Sequence, residues 1–282
     1  MDVRLFGGSL FLTCTMMTQA LWPAASHSGD SLPNLPERPV IKASALYMVE
    51  LTTGRVLFEK NATRRLPPAS LTKIMTALVA LEAAPLQEVV KIDRRAIVHH
   101  SSYHFRAGEE FLLRDLVTAM LVASANDACE AVAWHIGRDD RRFVVMMNER
   151  ARKLGLTNTH FVNPCGFDAP EHYSTAADLA KLTEQALQQP FFSMMVRTLI
   201  RDIATVDGAR KMSLHSTNEL LVDPDVNGVK TGYTSKAGRC LIASMFKDGH
   251  RLLLVGLNLM DQWTQATSLL HYGHAVLREA NG

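Results

Sequence analysis

The sequence predicts an α/β (α+β) fold: an antiparallel sheet assembled from both chain ends, flanked by helices, with a mainly helical lobe inserted between them. Three observations carry this. SALYMVELTTGRVLFEKN alternates on either side of Thr52-Thr53-Gly54, as an antiparallel hairpin with a short turn does. Near the C-terminus, GVKTGYT and GRCLIASMFKDGHRLLLVGLNLM read as strands, with a turn at Lys247-Asp248-Gly249-His250. Between these groups the apolar residues recur at helical spacing. Strands that are distant in sequence, with helices between them, imply a sheet closed by both ends of the chain.

Taken in order, the chain begins with Arg4 followed by LFGGSLFLTCTMMTQALW and then small residues around Ala24 to Ser26. This is the layout of a secretory signal peptide over residues 1–26. An uncleaved anchor helix and a lipid-bearing Cys14 are the competing readings. Residues 27–40 are a proline-rich linker, and residues 41–282 form the folded domain. After the first hairpin, Leu71, Ile74, Met75, Leu78, Val79 and Leu81 mark a helix. Pro67 and Pro68 cannot extend it backwards, so it starts near Ser70. EVVKIDRRAIV holds short strands and HHSSYHFRAGEE is loop-like. Residues 112–136 form two helical segments meeting at Ser124 to Asp127, with further helices over 138–154, 174–188 and 191–200. NTHFVNPCGFDAPEHYST is a loop, and a last helix covers 262–279.

Composition narrows the function. A chain of 282 residues that is 47% hydrophobic and 21% charged can bury a full core. A net charge of +2 without a basic block leaves no electrostatic footprint for nucleic acid. Beyond the N-terminal segment no apolar run reaches the ~18 residues of a membrane span. Once the signal is removed, Cys129, Cys165 and Cys240 remain, so at least one stays unpaired. Cys129 and Cys240 lie in apolar runs and read as buried small hydrophobes, with a disulfide left open. His99, His100 and His104 sit in a loop-like stretch without an HExxH pattern, so no metal site and no cofactor is expected.

The chemistry centres on Ser70 and Lys73. A serine at a helix start is commonly an N-cap, yet Lys73, three residues on, projects from the same face. A serine hydroxyl is a poor nucleophile until a neighbouring base takes its proton. Lysine can be that base only if its pKa falls, which burial and a second cation such as Lys230 both favour. Ser124-Ala125-Asn126 lies at the helix junction and Lys230-Thr231-Gly232 opens a strand. Each tripeptide is trivial by itself. In this order the three match the Ser-x-x-Lys, Ser-x-Asn and Lys-Thr-Gly signature of penicillin-recognising serine enzymes.

The flanking residues narrow the match. Pro67-Pro68-Ala69-Ser70-Leu71-Thr72-Lys73, Ser124-Ala125-Asn126-Asp127-Ala128, Gly155 to Phe161 and Asn227 to Thr234 resemble the low-molecular-mass penicillin-binding proteins of the serine D-Ala-D-Ala carboxypeptidase family, over about residues 40–275. The resemblance implies a β-lactamase/transpeptidase-like fold and an exported, periplasmic or envelope enzyme. It would remove the terminal D-Ala of peptidoglycan stem peptides through an acyl-enzyme at Ser70 and be inhibited by β-lactams. It further implies that Ser124 relays a proton from Lys73 to the leaving amine and that Asn126 binds the substrate amide. Lys230 and Thr231 would bind the terminal carboxylate, and the N–H groups of Ser70 and Tyr233 would form the oxyanion hole. Gly232 would keep the strand clear for substrate.

Two departures stand out. Family members often carry a carboxylate-binding arginine shortly after the second C-terminal strand, and LMDQWTQATSLL contains none, leaving that task to Lys230 and Thr231. The chain also ends about fifty residues after Lys230, which suggests that the second domain and amphipathic anchor of many relatives are lacking. A DD-endopeptidase that cuts cross-links is the first alternative. A β-lactamase using Glu171 or Glu184 to deacylate and a non-catalytic peptidoglycan-binding protein are the others.

Overall fold

The computed structural model describes Asp2, residues 36–98 and residues 103–279. The expected signal segment (Asp2 apart) and the linker as far as residue 35 lie outside the described residues, as do His99 and His100. The N-terminal hairpin forms as expected from β1 (Ala43–Glu50) and β2 (Val56–Lys60). Its turn is organised by the Glu50 carboxylate, which accepts hydrogen bonds from Thr52 N, Thr53 N, Thr53 Oγ1 and Arg251 N. Burial acts to raise the Glu50 pKa, but these donors outweigh it and hold the carboxyl down at about 2.

The helical lobe follows in order: α1 (Lys73–Ala83), the short β3 (Val89–Lys91) and β4 (Glu110–Leu112), α2 (Leu113–Val122), α3 (Asn126–Gly137), α4 (Asp140–Lys153), α5 (Ala176–Leu187) and α6 (Pro190–Val196). Thr175 caps α5 by accepting from Asp178 N, as the sequence suggests for a helix starting near Ser174-Thr175. The helix expected over 191–200 is shorter. It stops at Val196, and the chain turns into a hairpin of β5 (Ile200–Ala204) and β6 (Lys211–His215). The sheet is completed by β7 (Val226–Thr234), β8 (Gly238–Lys247) and β9 (His250–Leu259), and α7 (Gln262–Glu279) closes the chain.

The five-stranded sheet has the order β2-β1-β9-β8-β7 and is antiparallel throughout. β1 pairs with β9 from Ala43 opposite Leu259 to Glu50 opposite Leu252, joining the two chain ends as predicted. Strand side chains alternate between faces, and here both faces are covered. Leu46, Met48, Leu252 and Leu254 pack with Leu269 and Leu270 of α7, while Ala45, Leu253 and Val255 join the core of the lobe. Burial on both faces explains why β8 and β9 read as nearly unbroken apolar runs. α1 lies at the lobe's centre, with every residue from Lys73 to Ala80 buried.

The cysteines correct one expectation. Cys129 of α3 is not an isolated buried hydrophobe but is bonded to Cys165 in the loop before α5. Cys240 is buried and unpaired, and burial pushes its thiol up to about 11.

Candidate active site

Ser70 sits on a single 3-10 turn, Ala69–Thr72, that precedes α1. Ser70 therefore lies one turn earlier than the α-helix proper, and it does not act as a side-chain cap. Ala69 is held at φ +48°, a left-handed conformation that a non-glycine residue adopts at a cost of about 1–3 kcal/mol. Tight backbone packing holds the turn there. A Cβ on Gly166 would come within 1.9 Å of the Ala69 carbonyl oxygen, and Gly166 itself has φ +88°. A Cβ on Gly232 would stand 2.9 Å from Ser70 N, so the steric demand on this glycine comes first from the Ser70 backbone.

Lys73 enters α1 three residues after Ser70 and is fully buried. Its Nζ lies 3.0 Å from Ser70 Oγ, 2.8 Å from Asn126 Oδ1 and 2.9 Å from the Cys165 carbonyl oxygen. Burial holds its pKa well below the usual lysine range, and the charge of Lys230 pushes the same way, while Glu130 opposes them. A neutral amine has two N–H donors and one lone pair. The Asn126 and Cys165 oxygens can only accept, so they take both N–H groups, and the lone pair is left facing the Ser70 hydroxyl. Glu130, one turn along α3 from Asn126, is pushed up to about 7, by burial first and by Asp140 next.

Lys230 and Thr231 lie on the edge strand β7. Lys230 is 1% exposed, and burial lowers its pKa to about 7. Its Nζ donates to the Thr231 carbonyl oxygen, and Thr231 Oγ1 is 2.5 Å from Thr217 Oγ1. Between the walls lies an open cavity of about 410 Å³. Ser70, Ser124, Asn126, Thr231, Gly232 and Tyr233 line it, with Lys73 and Lys230 buried behind them. All eight residues expected at the site thus converge on one place. Ser124, at φ +57°, lines the cavity, but among the described residues no hydrogen bond joins it to Lys73, whose partners are Ser70, Asn126 and Cys165. Glu171 and Glu184, the carboxylates a rapid deacylation would call on, do not line it.

Sequence reasoning misses three contributors. Cys165 acts through a backbone carbonyl, which its residue type does not advertise. Glu130 reaches the electrostatics of Lys73 only through the packing of α3 on α1. Arg239 of β8 stands opposite Tyr233 in the β7–β8 register, shares its face of the sheet, is exposed and lines the cavity together with Gln262. The cross-strand position was available from the turn between GVKTGYT and GRCLIAS, had register been counted. Among the described residues no group of His, Cys, Asp or Glu is arranged to hold a metal.

A buried lysine facing a serine, set against a lysine-bearing edge strand, defines the class: the fold is that of the DD-transpeptidases and penicillin-binding proteins. The chain belongs to the Peptidase S11, D-alanyl-D-alanine carboxypeptidase, family, whose profile matches residues 33–261. It is 36% identical over 221 residues to the D-alanyl-D-alanine carboxypeptidase DacF of Bacillus subtilis, covering 76% of this chain and 57% of that relative. It is 30% identical over 268 residues to a D-alanyl-D-alanine endopeptidase of Escherichia coli, covering 93% of this chain and 84% of that relative. Among solved structures, a Streptomyces DD-transpeptidase superimposes with a TM-score of 0.80 at 31% identity, covering 85% of this chain and all of that one.

Proposed function

We propose that the protein is a serine-type D-Ala-D-Ala carboxypeptidase acting on peptidoglycan stem peptides. The observation that carries this reading is the buried Lys73 Nζ 3.0 Å from Ser70 Oγ, with two further oxygens that can only accept; in the neutral amine these leave the lone pair to Ser70. Lys73 takes the Ser70 proton as Oγ attacks the carbonyl carbon of the penultimate D-Ala. The N–H groups of Ser70 and Tyr233 receive the oxyanion, a contribution of about 3–4 kcal/mol per donor in comparable sites. The peptide C–N bond then breaks, the leaving amine takes a proton from Lys73 relayed by Ser124, and D-Ala departs. Water hydrolyses the ester and restores both groups. Asn126 orients the substrate amide as well as Lys73. Lys230, Thr231 and Arg239 bind the terminal carboxylate, so the arginine missing after β9 has a counterpart on β8. A β-lactam acylates the same hydroxyl.

The test uses purified protein, stem pentapeptides and a fluorescent penicillin. Loss of one D-Ala together with a slowly hydrolysed adduct at Ser70 is expected; no adduct, or rapid penicillin turnover, would reject the reading. The likeness to the E. coli endopeptidase favours one second reading, cleavage of cross-linked dimers, which appears as dimer splitting in the same mass analysis. Residues 1–26 act as an export signal to the periplasm or envelope, and residues 41–282 form the catalytic domain, where the protein serves in cell-wall organisation and cell shape. Among the described residues no helix is long and apolar enough to cross a membrane. The mass of the secreted protein's N-terminus tests the cleavage.

A further inference from the structure

The two oxygens that orient Lys73 belong to different elements. Asn126 is the first residue of α3, and Cys165 lies in the loop before α5. On the α1 side the loop is well fastened. Thr76 Oγ1 donates to the Pro164 carbonyl, and Asn163 Oδ1 accepts from the N–H groups of Cys165, Gly166 and Phe167. None of these bonds reaches α3. The covalent tie between loop and α3 is the disulfide, and it is placed where it counts: Cys129 lies three residues, about one helical turn, after Asn126. Cys165 also approaches the Asn126 carbonyl, at 3.8 Å from Sγ. Both half-cystines are buried, at 0% and 1% exposure.

We propose that the Cys129–Cys165 disulfide positions the catalytic lysine, by fixing the spacing between the Asn126 and Cys165 oxygens that together aim the Lys73 lone pair at Ser70. The inference rests on Ser70–Lys73 acylation as proposed above. Without the bond no covalent link fixes the spacing of the two acceptors, which then rests on the separate packing of α3 and of the loop against α1. One N–H then has no fixed partner, and the amine can turn its lone pair away from the hydroxyl. Misplacing a catalytic group by about 1 Å costs up to roughly a hundredfold in rate. Separation also admits water around Lys73, easing the burial that is the first cause of its lowered pKa. The charged groups acting on Lys73, Lys230 of β7 and Glu130 of α3, stay in place.

The experiment measures penicillin acylation against pH for the wild type and for Cys129→Ala/Cys165→Ala, with folding checked by circular dichroism. Slower acylation by roughly tenfold or more is expected, with its rising limb displaced to higher pH. A limb that is unmoved or displaced downward overturns the proposal, because a disulfide that serves stability alone lowers Tm without changing where Lys73 titrates. Should the variant not fold, wild-type protein purified under dithiothreitol is compared with the same preparation after oxidation by glutathione disulfide. That oxidation joins the two thiols and releases two glutathiones, and iodoacetamide labelling counts the remaining thiols. Equal rates and equal limbs for the two forms likewise overturn it. Acylation absent even from the oxidised wild type would instead reject the Ser70–Lys73 reading itself, so the two failures are distinct.

Discussion

The two walls of the cleft each bury a lysine, and the two lysines are set up differently. Lys73 on the helical wall has three fixed partners and a carboxyl group nearby. Among the described residues Lys230 on the strand wall donates only to the carbonyl of its neighbour Thr231. Burial depresses both pKa values, since a charged amine loses its hydration in the interior. On the proposed mechanism, the surplus of partners around Lys73 makes it a directed base, already arranged before substrate arrives. Lys230 has no comparable cage, and its remaining donor capacity suits an anion delivered by the ligand. On that reading the helical wall serves the bond-making step and the strand wall holds the substrate's end. Damage to the first should appear in kcat and acylation, and damage to the second in KM.

Removing the nucleophile is the most severe test. Ser70→Ala should abolish the penicillin adduct while leaving the fold intact, because the 3-10 turn is held by Ala69, Gly166 and Gly232 rather than by the hydroxyl. An adduct that survives would place the chemistry elsewhere. Lys73→Arg comes next. Arginine brings a permanent charge and does not deprotonate at accessible pH, and general-base catalysis contributes ~10²–10⁴-fold. Acylation should fall by that order, and a near-normal rate would remove Lys73 from the base role.

Lys230→Gln probes whether the walls are independent. The larger expected effect is a rise in KM for peptides with a free C-terminal carboxylate, by roughly tenfold, comparable to the loss of a charge-assisted hydrogen bond. A second effect crosses the cleft. The charge of Lys230 is one cause of the lowered Lys73 pKa, so its loss should move the rising limb of acylation to higher pH. Burial is the larger cause and persists, so the limb should stop short of ordinary lysine. An unmoved limb would mean that the two amines do not sense each other.

The difference between the walls also explains what could be read from the sequence. The five-stranded sheet was legible because β1, β8 and β9 carry long apolar runs, and the site because three motifs had to agree on order. The β5–β6 hairpin was not. Each of its strands buries a single residue, Ile203 and Leu214, so no apolar alternation marks it, and Leu199 and Ile200 extend the apparent helix instead. The fixed partners of Lys73 were half legible. Asn126 is a side chain in a motif, whereas the Cys165 carbonyl depends on a loop folding back over α1. Arg239 escaped for the opposite reason: an exposed arginine in a strand looks like ordinary solvated surface, and only its register opposite Tyr233 brings it to the cavity.

Arg239 provides the finest test of the strand wall. With Lys230 titrating at about 7, its charge fades as pH rises, whereas a guanidinium stays protonated throughout. On the proposed binding mode, two cations face the substrate carboxylate below about pH 7, and above it one remains. Arg239→Gln should therefore raise KM by only a few-fold in mildly acid solution, the ~0.2–1 kcal/mol of an exposed pair. The ratio of variant to wild-type KM should then grow with pH as the remaining amine loses its proton. kcat should change little, since among the described residues no hydrogen bond or ion pair joins Arg239 to Ser70 or Lys73. A peptide ending in an amide offers no carboxylate, so its KM should not acquire this pH-dependent ratio. A ratio that stays flat from about pH 6 to 9, or that appears equally with the amide, would return the carboxylate to Lys230 and Thr231 alone.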